Sequence, residues 1–137
     1  MMKLAIMTWA CQSALESGKY TADEFLDTLS AVGVSGLEPP WVWCSTASPT
    51  WRTLQDAALE RGFSFPCLDV PANLSTGDEE KNREILQGLR QVFVFCRDEI
   101  ACPVVLLYGS KPAPGMKAAG NMERCWGVVR SLRQNMV

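Results

Sequence analysis

The apolar residues of this chain fall into two patterns. Short unbroken runs alternate with stretches in which apolar residues recur every three or four positions. The runs predict strands, and the recurrences predict helices with one buried face. Lys3 to Trp9 reads as a first strand. Thr21-Ala22-Asp23-Glu24 then has the form of a capping box, in which the threonine hydroxyl and the glutamate carboxylate each accept a backbone N–H at the helix start. Phe25, Leu26, Leu29 and Val32 supply the apolar stripe of that helix, and Gly33 stands where a C-cap glycine belongs. Gly36-Leu37-Glu38 predicts a second strand, stopped by Pro39-Pro40, because proline cannot donate to a strand ladder.

The same grammar repeats. Ser48-Pro49 is an N-cap followed by proline at the first helical position. Trp51, Leu54, Ala58 and Leu59 form the stripe, and Arg61-Gly62 closes the helix. Phe63 to Val70 predicts a third strand, ended by Pro71. Thr76-Gly77-Asp78-Glu79 reads as another capping box, and Ile85, Leu86, Leu89, Val92, Phe93 and Cys96 mark one face of a long helix. Val104 to Tyr108 is continuously apolar, as expected of a strand covered on both faces. Gly109 to Gly120 reads as a loop. Met122, Trp126, Val129 and Leu132 mark a fourth helix.

Strands thus begin near positions 3, 35, 63 and 104. Strand–helix alternation without hairpin signals predicts an α/β fold of four βα units with a parallel sheet, in a single domain spanning 1–137. Two architectures share that pattern: an open doubly wound sheet and a (β/α)8 barrel, which takes ~250 residues when complete. The first loop, Trp9-Ala10-Cys11-Gln12-Ser13, lacks the glycine fingerprint of dinucleotide binding, and no phosphate-binding P-loop occurs. The spacing itself does not choose between the two.

Composition narrows the chemistry. Of the 137 residues, 47% are apolar and 20% charged, which excludes a disordered chain. Thirteen basic residues are spread among fifteen acidic ones, giving a net charge of −2 and no basing for a nucleic-acid surface. No histidine is present, which removes Ser-His-Asp and Cys-His catalysis from this stretch. The six cysteines, at 11, 44, 67, 96, 102 and 125, form no C-x-x-C pair and read as reduced thiols. No apolar run approaches the ~20 residues of a membrane span, and Met1 to Met7 is too short for a signal peptide. A cytoplasmic protein without membrane or nucleic-acid partners is expected.

Four local patterns, in order, point to a family. They are Lys3-Leu4-Ala5-Ile6, Ala31-Val32-Gly33-Val34-Ser35-Gly36-Leu37-Glu38, Asn73-Leu74-Ser75-Thr76-Gly77-Asp78-Glu79-Glu80, and Leu107-Tyr108-Gly109-Ser110-Lys111-Pro112-Ala113-Pro114-Gly115-Met116. Together they resemble the N-terminal half of the xylose isomerase-like TIM barrels, the sugar phosphate isomerase/epimerase group. The resemblance implies half of a (β/α)8 barrel. It also implies a divalent metal, Mn²⁺ or Mg²⁺, in the full-length enzyme. The metal ligands of the family lie on strands five to eight, so no metal is expected on this chain alone.

Barrel chemistry sits at the C-terminal ends of strands. Glu38 ends the second strand and is the candidate catalytic carboxylate, its plain alternatives being an exposed loop glutamate or a salt-bridge partner. Asp69 ends the third; it could join Glu38 in a substrate-binding pair or simply bond the backbone of the turn that follows. Trp9, Trp41 and Trp43 cluster at the ends of strands one and two and offer indole faces for a sugar, or else pack in the core or fill the barrel mouth. Asn73 and Lys111 complete the candidate substrate-binding set, each with a turn or solvent role as its alternative. Trp51 and Trp126, on helical stripes, read as core. Cys11, Cys44 and Cys67 lie near strand ends, but no cationic neighbour in sequence marks an activated thiolate.

The expected function is therefore the N-terminal part of a metal-dependent sugar or sugar phosphate isomerase or epimerase. In that role the chain shapes the pocket for a small-molecule sugar and associates with a C-terminal half. The alternative is a non-catalytic half-barrel, a binding or structural protein that completes its sheet by homodimerisation. An abasic-site endonuclease of the same barrel type would need histidine ligands and a basic face, and has neither.

Overall fold

The computed structural model describes residues 3–73, 78–108, 115, 123, 126, 127 and 130. The strands are β1 (Leu4–Met7), β2 (Val34–Glu38), β3 (Leu68–Pro71) and β4 (Val105–Tyr108). The helices are α1 (Gln12–Glu16), α2 (Ala22–Ala31), α3 (Trp41–Cys44), α4 (Pro49–Glu60) and α5 (Glu79–Asp98), with a 3-10 turn at Thr8–Ala10. The chain divides into two compact units, Met1–Val70 with Val94–Leu106, and Pro71–Phe93 with Leu107–Val137.

In the first unit, β1 and β2 run parallel, with Ala5 opposite Gly36, Ile6 opposite Leu37 and Met7 opposite Glu38. Gly36 is required there by space. A Cβ on it would lie 3.0 Å from the Ala5 Cβ and 3.3 Å from the Pro66 ring, so any side chain would push the strands apart. Parallel bridges join Gly36 to Ser64 and Pro40 to Asp69, which sets β3 beside β2. Leu68 N–H donates to the Val104 carbonyl at 3.0 Å, placing the start of β4 beside β3. The chain is thus mixed α/β with short parallel strand pairs, β1–β2 and β3–β4, in sequential order. No closed barrel is formed by the described residues.

The capping box is present in full: Glu24 N–H donates to Thr21 Oγ1 at 3.2 Å, and Thr21 N–H donates to Glu24 Oε2 at 2.9 Å. The Thr21 N–H and the Thr21 hydroxyl, both donating to Glu24 Oε2, hold the Glu24 carboxyl below its usual value, the backbone bond contributing most. Gly33 takes the left-handed conformation (φ +80°) that ends α2. Leu26 and Leu29 of the predicted stripe are buried, but Val32, one turn further, is exposed. Pro49 opens α4 as expected, although the Ser48 side chain makes no capping bond. Trp51, Leu54 and Ala58 face inward; Trp51 meets Trp43 at 5.4 Å and Phe65 at 6.2 Å between ring centroids. Arg61 ties the end of α4 to Asp23 (2.8 Å) and Asp27 (3.4 Å) of α2 on the surface.

Three expectations are corrected. The third strand is shorter than Phe63–Val70, since Pro66 interrupts the ladder and only Ser64 bridges upstream of Leu68. The last strand is not covered on both faces: Val104, Leu106 (49%) and Tyr108 are exposed, because no further strand or helix lies over that side among the described residues. Trp126 is 57% exposed and is not core.

In the second unit, Asp78 Oδ1 accepts from Glu80 N–H (3.0 Å) and Lys81 N–H (3.2 Å) at the start of α5. Asp78 therefore does the capping among the described residues, and Thr76 lies outside them. Ala72 N–H donates to the Tyr108 carbonyl at 3.2 Å, continuing the parallel pairing of β3 and β4. Glu123, Trp126, Gly127 and Arg130 are helical, in the region of the fourth predicted helix.

Candidate functional site

The parallel order puts the C-terminal ends of β1, β2 and β3 side by side in the first unit. Thr8 and Glu38 stand at the ends of β1 and β2, and Asp69, the second residue of β3 rather than its end, bridges to Pro40 just past β2. Thr8 follows β1, is fully buried, and its hydroxyl donates to the Glu38 carbonyl across the strands, at 3.4 Å. Glu38 closes β2 and is half-buried. Asp69 lies in β3, pinned by its N–H to the Pro39 carbonyl at 3.0 Å. Pro39 and Pro40 fix the backbone between the two carboxyl groups, since each has a locked φ.

Asp69 is the unusual member. Its side chain is 2% exposed, and neither carboxylate oxygen has a hydrogen-bond partner. The expected alternative, a bond from Asp69 to the following turn, is not made. Burial without compensation raises its pKa, because desolvation penalises the charged form. The charges of Asp69 and Glu38 also reach Cys67, whose thiol is pushed up first by burial and then by those two carboxylates. Both carboxylates therefore lie near enough to Cys67 to act on it by charge.

The remaining candidates are placed differently. Trp9 sits on the 3-10 turn after β1, 61% exposed, with its indole available to solvent. Trp43 is core, while Trp41 packs edge-on against Phe95 at 5.4 Å. Asn73 is an exposed residue of the second unit. Lys111 lies outside the described residues. Thr8 was not singled out from sequence; a lone threonine in an apolar run gives no signal before the strands are paired.

Among the described residues, no group of three or more His, Cys, Asp or Glu side chains is placed to hold a metal ion. No helix among the described residues is long and apolar enough to cross a membrane. Comparison with family models, curated proteins and solved structures finds no match to this chain.

Proposed function

We propose that the chain is the strand-one-to-four half of a (β/α)8 barrel that acts on a sugar or sugar-like polyol as an isomerase or epimerase. The observation that carries this reading is Asp69, a buried carboxyl with no partner, whose backbone is bonded to Pro39 just after Glu38. A group kept unpaired at such a cost is a group positioned for something that arrives. Its raised pKa keeps a proton on Asp69 to higher pH than usual, so it can donate to a substrate oxygen. Glu38, with its backbone held by Thr8, supplies an acceptor for a second hydroxyl. Trp9 offers an exposed ring at the same strand ends for the C–H face of a sugar. The sequential parallel strand order supports the half-barrel. The reduced cysteines support a cytoplasmic location. The metal of the resembling family would be held by residues of another half.

The test is ligand titration by NMR with aldoses, ketoses, polyols and their phosphates. A binder should shift the Glu38 and Asp69 signals. Glu38→Gln or Asp69→Asn should weaken it about tenfold, the value of ~1.4 kcal/mol. If no member of the panel perturbs those signals, the reading fails. Any isomerase activity of the completed barrel should need Mn²⁺ or Mg²⁺ and vanish with a chelator.

A second reading, self-association of a non-catalytic half-barrel, is favoured by one observation. The outer strands expose apolar side chains: Leu4 and Met7 on β1, Leu106 and Tyr108 on β4. Unpaired apolar strands invite another chain. Sedimentation at increasing concentration separates the readings, since this one requires a dimer that Leu106→Lys disperses.

A further inference from the structure

Cys96 and Cys102 are brought together by the end of α5. The helix makes one more bond past its last residue, Glu99 N–H to the Phe95 carbonyl at 2.9 Å. Ala101 then takes a left-handed conformation, φ +48°, which a residue with a Cβ adopts only at a cost. That turn swings the chain back, and Cys102 N–H donates to the Cys96 carbonyl at 2.8 Å. A backbone bond of this length keeps two Cα atoms roughly 5–6.5 Å apart, within the span of a disulfide. The side chains follow: each thiol shifts the other's titration, and the Cys102 S–H donates to the Val104 carbonyl at 3.1 Å. Both thiols are free, and both are largely buried, at 4% and 8% exposed.

We propose that Cys96 and Cys102 form a reversible dithiol–disulfide pair, oxidised by small-molecule disulfides. Two features favour it beyond proximity. The strained Ala101 backbone persists only because its surroundings hold it, and here it serves to juxtapose two sulfurs. Interaction with the Cys96 thiol holds the Cys102 thiol below its usual value, against burial and the nearby Glu38 charge, and pushes the Cys96 thiol up. Cys102 is thus the attacking sulfur and Cys96 the resolving one.

The chemistry balances. The Cys102 thiolate attacks one sulfur of the oxidant, breaking its S–S bond and releasing one thiolate. Cys96 then loses its proton to solvent and attacks the Cys102 sulfur of the mixed disulfide, releasing the second thiolate. The two cysteines are oxidised by two electrons, and the oxidant leaves as two reduced thiols. Cys44 and Cys67 stand near enough to influence Cys96 by charge, but burial pushes both of those thiols up. They are poor attackers.

The test uses the whole folded chain equilibrated in glutathione buffers of graded ratio, quenched with acid and alkylated, with peptides mapped by mass spectrometry. The expected product is a Cys96–Cys102 disulfide that appears at one midpoint ratio and is fully reversed by reductant. In Cys96→Ser, a stable glutathione adduct should accumulate on Cys102, at least tenfold over that on any other cysteine. In Cys102→Ser, Cys96 should stay unmodified. Mapping of the unsubstituted chain decides the matter even if a variant folds poorly. If both thiols remain alkylatable in the most oxidising buffer, or if the first disulfide pairs Cys102 with Cys44 or Cys67, the proposal is overturned.

Discussion

Two buried regions of the first unit are built on opposite terms. Behind the strands, Trp43, Trp51, Phe65 and Leu54 interlock with almost no polar atoms; the indole N–H of Trp43 is the exception, buried without a partner. At the strand ends, Asp69 is buried just as deeply but brings a carboxyl with nothing to bond. The first region gains stability from burial in proportion to the area removed from water. The second loses it. A fold that retains the loss places it where strand ends converge, and the neighbouring Glu38 gives the place its chemistry. The start of α2 sharpens the contrast. There a carboxyl of the same kind, Glu24, is exposed and bonded twice to Thr21, and its pKa moves the other way.

The comparison predicts changes of opposite sign. Trp51→Ala, in the packed region, should cost about 3–5 kcal/mol in urea unfolding, for the lost contacts and the cavity left behind. Asp69→Asn should do the reverse and raise stability at neutral pH, because an amide cannot ionise and so avoids the cost of a buried charge. A destabilised Asp69→Asn would mean that the carboxylate has a partner after all. Thr21→Ala should cost about 1 kcal/mol by removing the N-cap, read from the same unfolding curves.

The two carboxyls also predict opposite pH trends. Asp69 has a raised pKa in the folded chain, so the unfolded chain releases that proton first. Its contribution is intact below the unfolded value and is lost as pH rises through the folded one. Glu24 is lowered, so its contribution is present above the unfolded value and fades as pH falls. Unfolding midpoints of the unsubstituted chain, Asp69→Asn and Glu24→Gln across acid to neutral pH should show each trend disappear with its own variant.

Much of the frame was legible before folding because its signals are local. The Thr21–Glu24 box, the Gly33 stop and Pro49 at a helix start each depend on residues within one turn. The strand-end position of Glu38 followed from Pro39, whereas Asp69, expected to end its strand before Pro71, is the second residue of a strand that includes Pro71. What was not legible depends on pairing across distance. No local pattern shows that Asp69 lacks a partner, since its preference as a turn former points to the opposite. The α3 turn at Trp41–Cys44 is hidden in an aromatic run with no capping signal. The contact of Cys96 with Cys102 depends on a left-handed alanine at 101, a conformation that alanine does not advertise. The exposure of Leu106 reflects that no further element lies over β4 among the described residues, which an apolar run cannot announce.

The most direct measurement is the carboxyl ¹³C titration of Asp69 and Glu24 in one NMR sample. The account predicts that Asp69 titrates above the ordinary aspartate value and Glu24 below the ordinary glutamate value. An Asp69 that titrates at or below the ordinary value would mean its charge is compensated, and the reading of the strand ends as a waiting site would be contradicted.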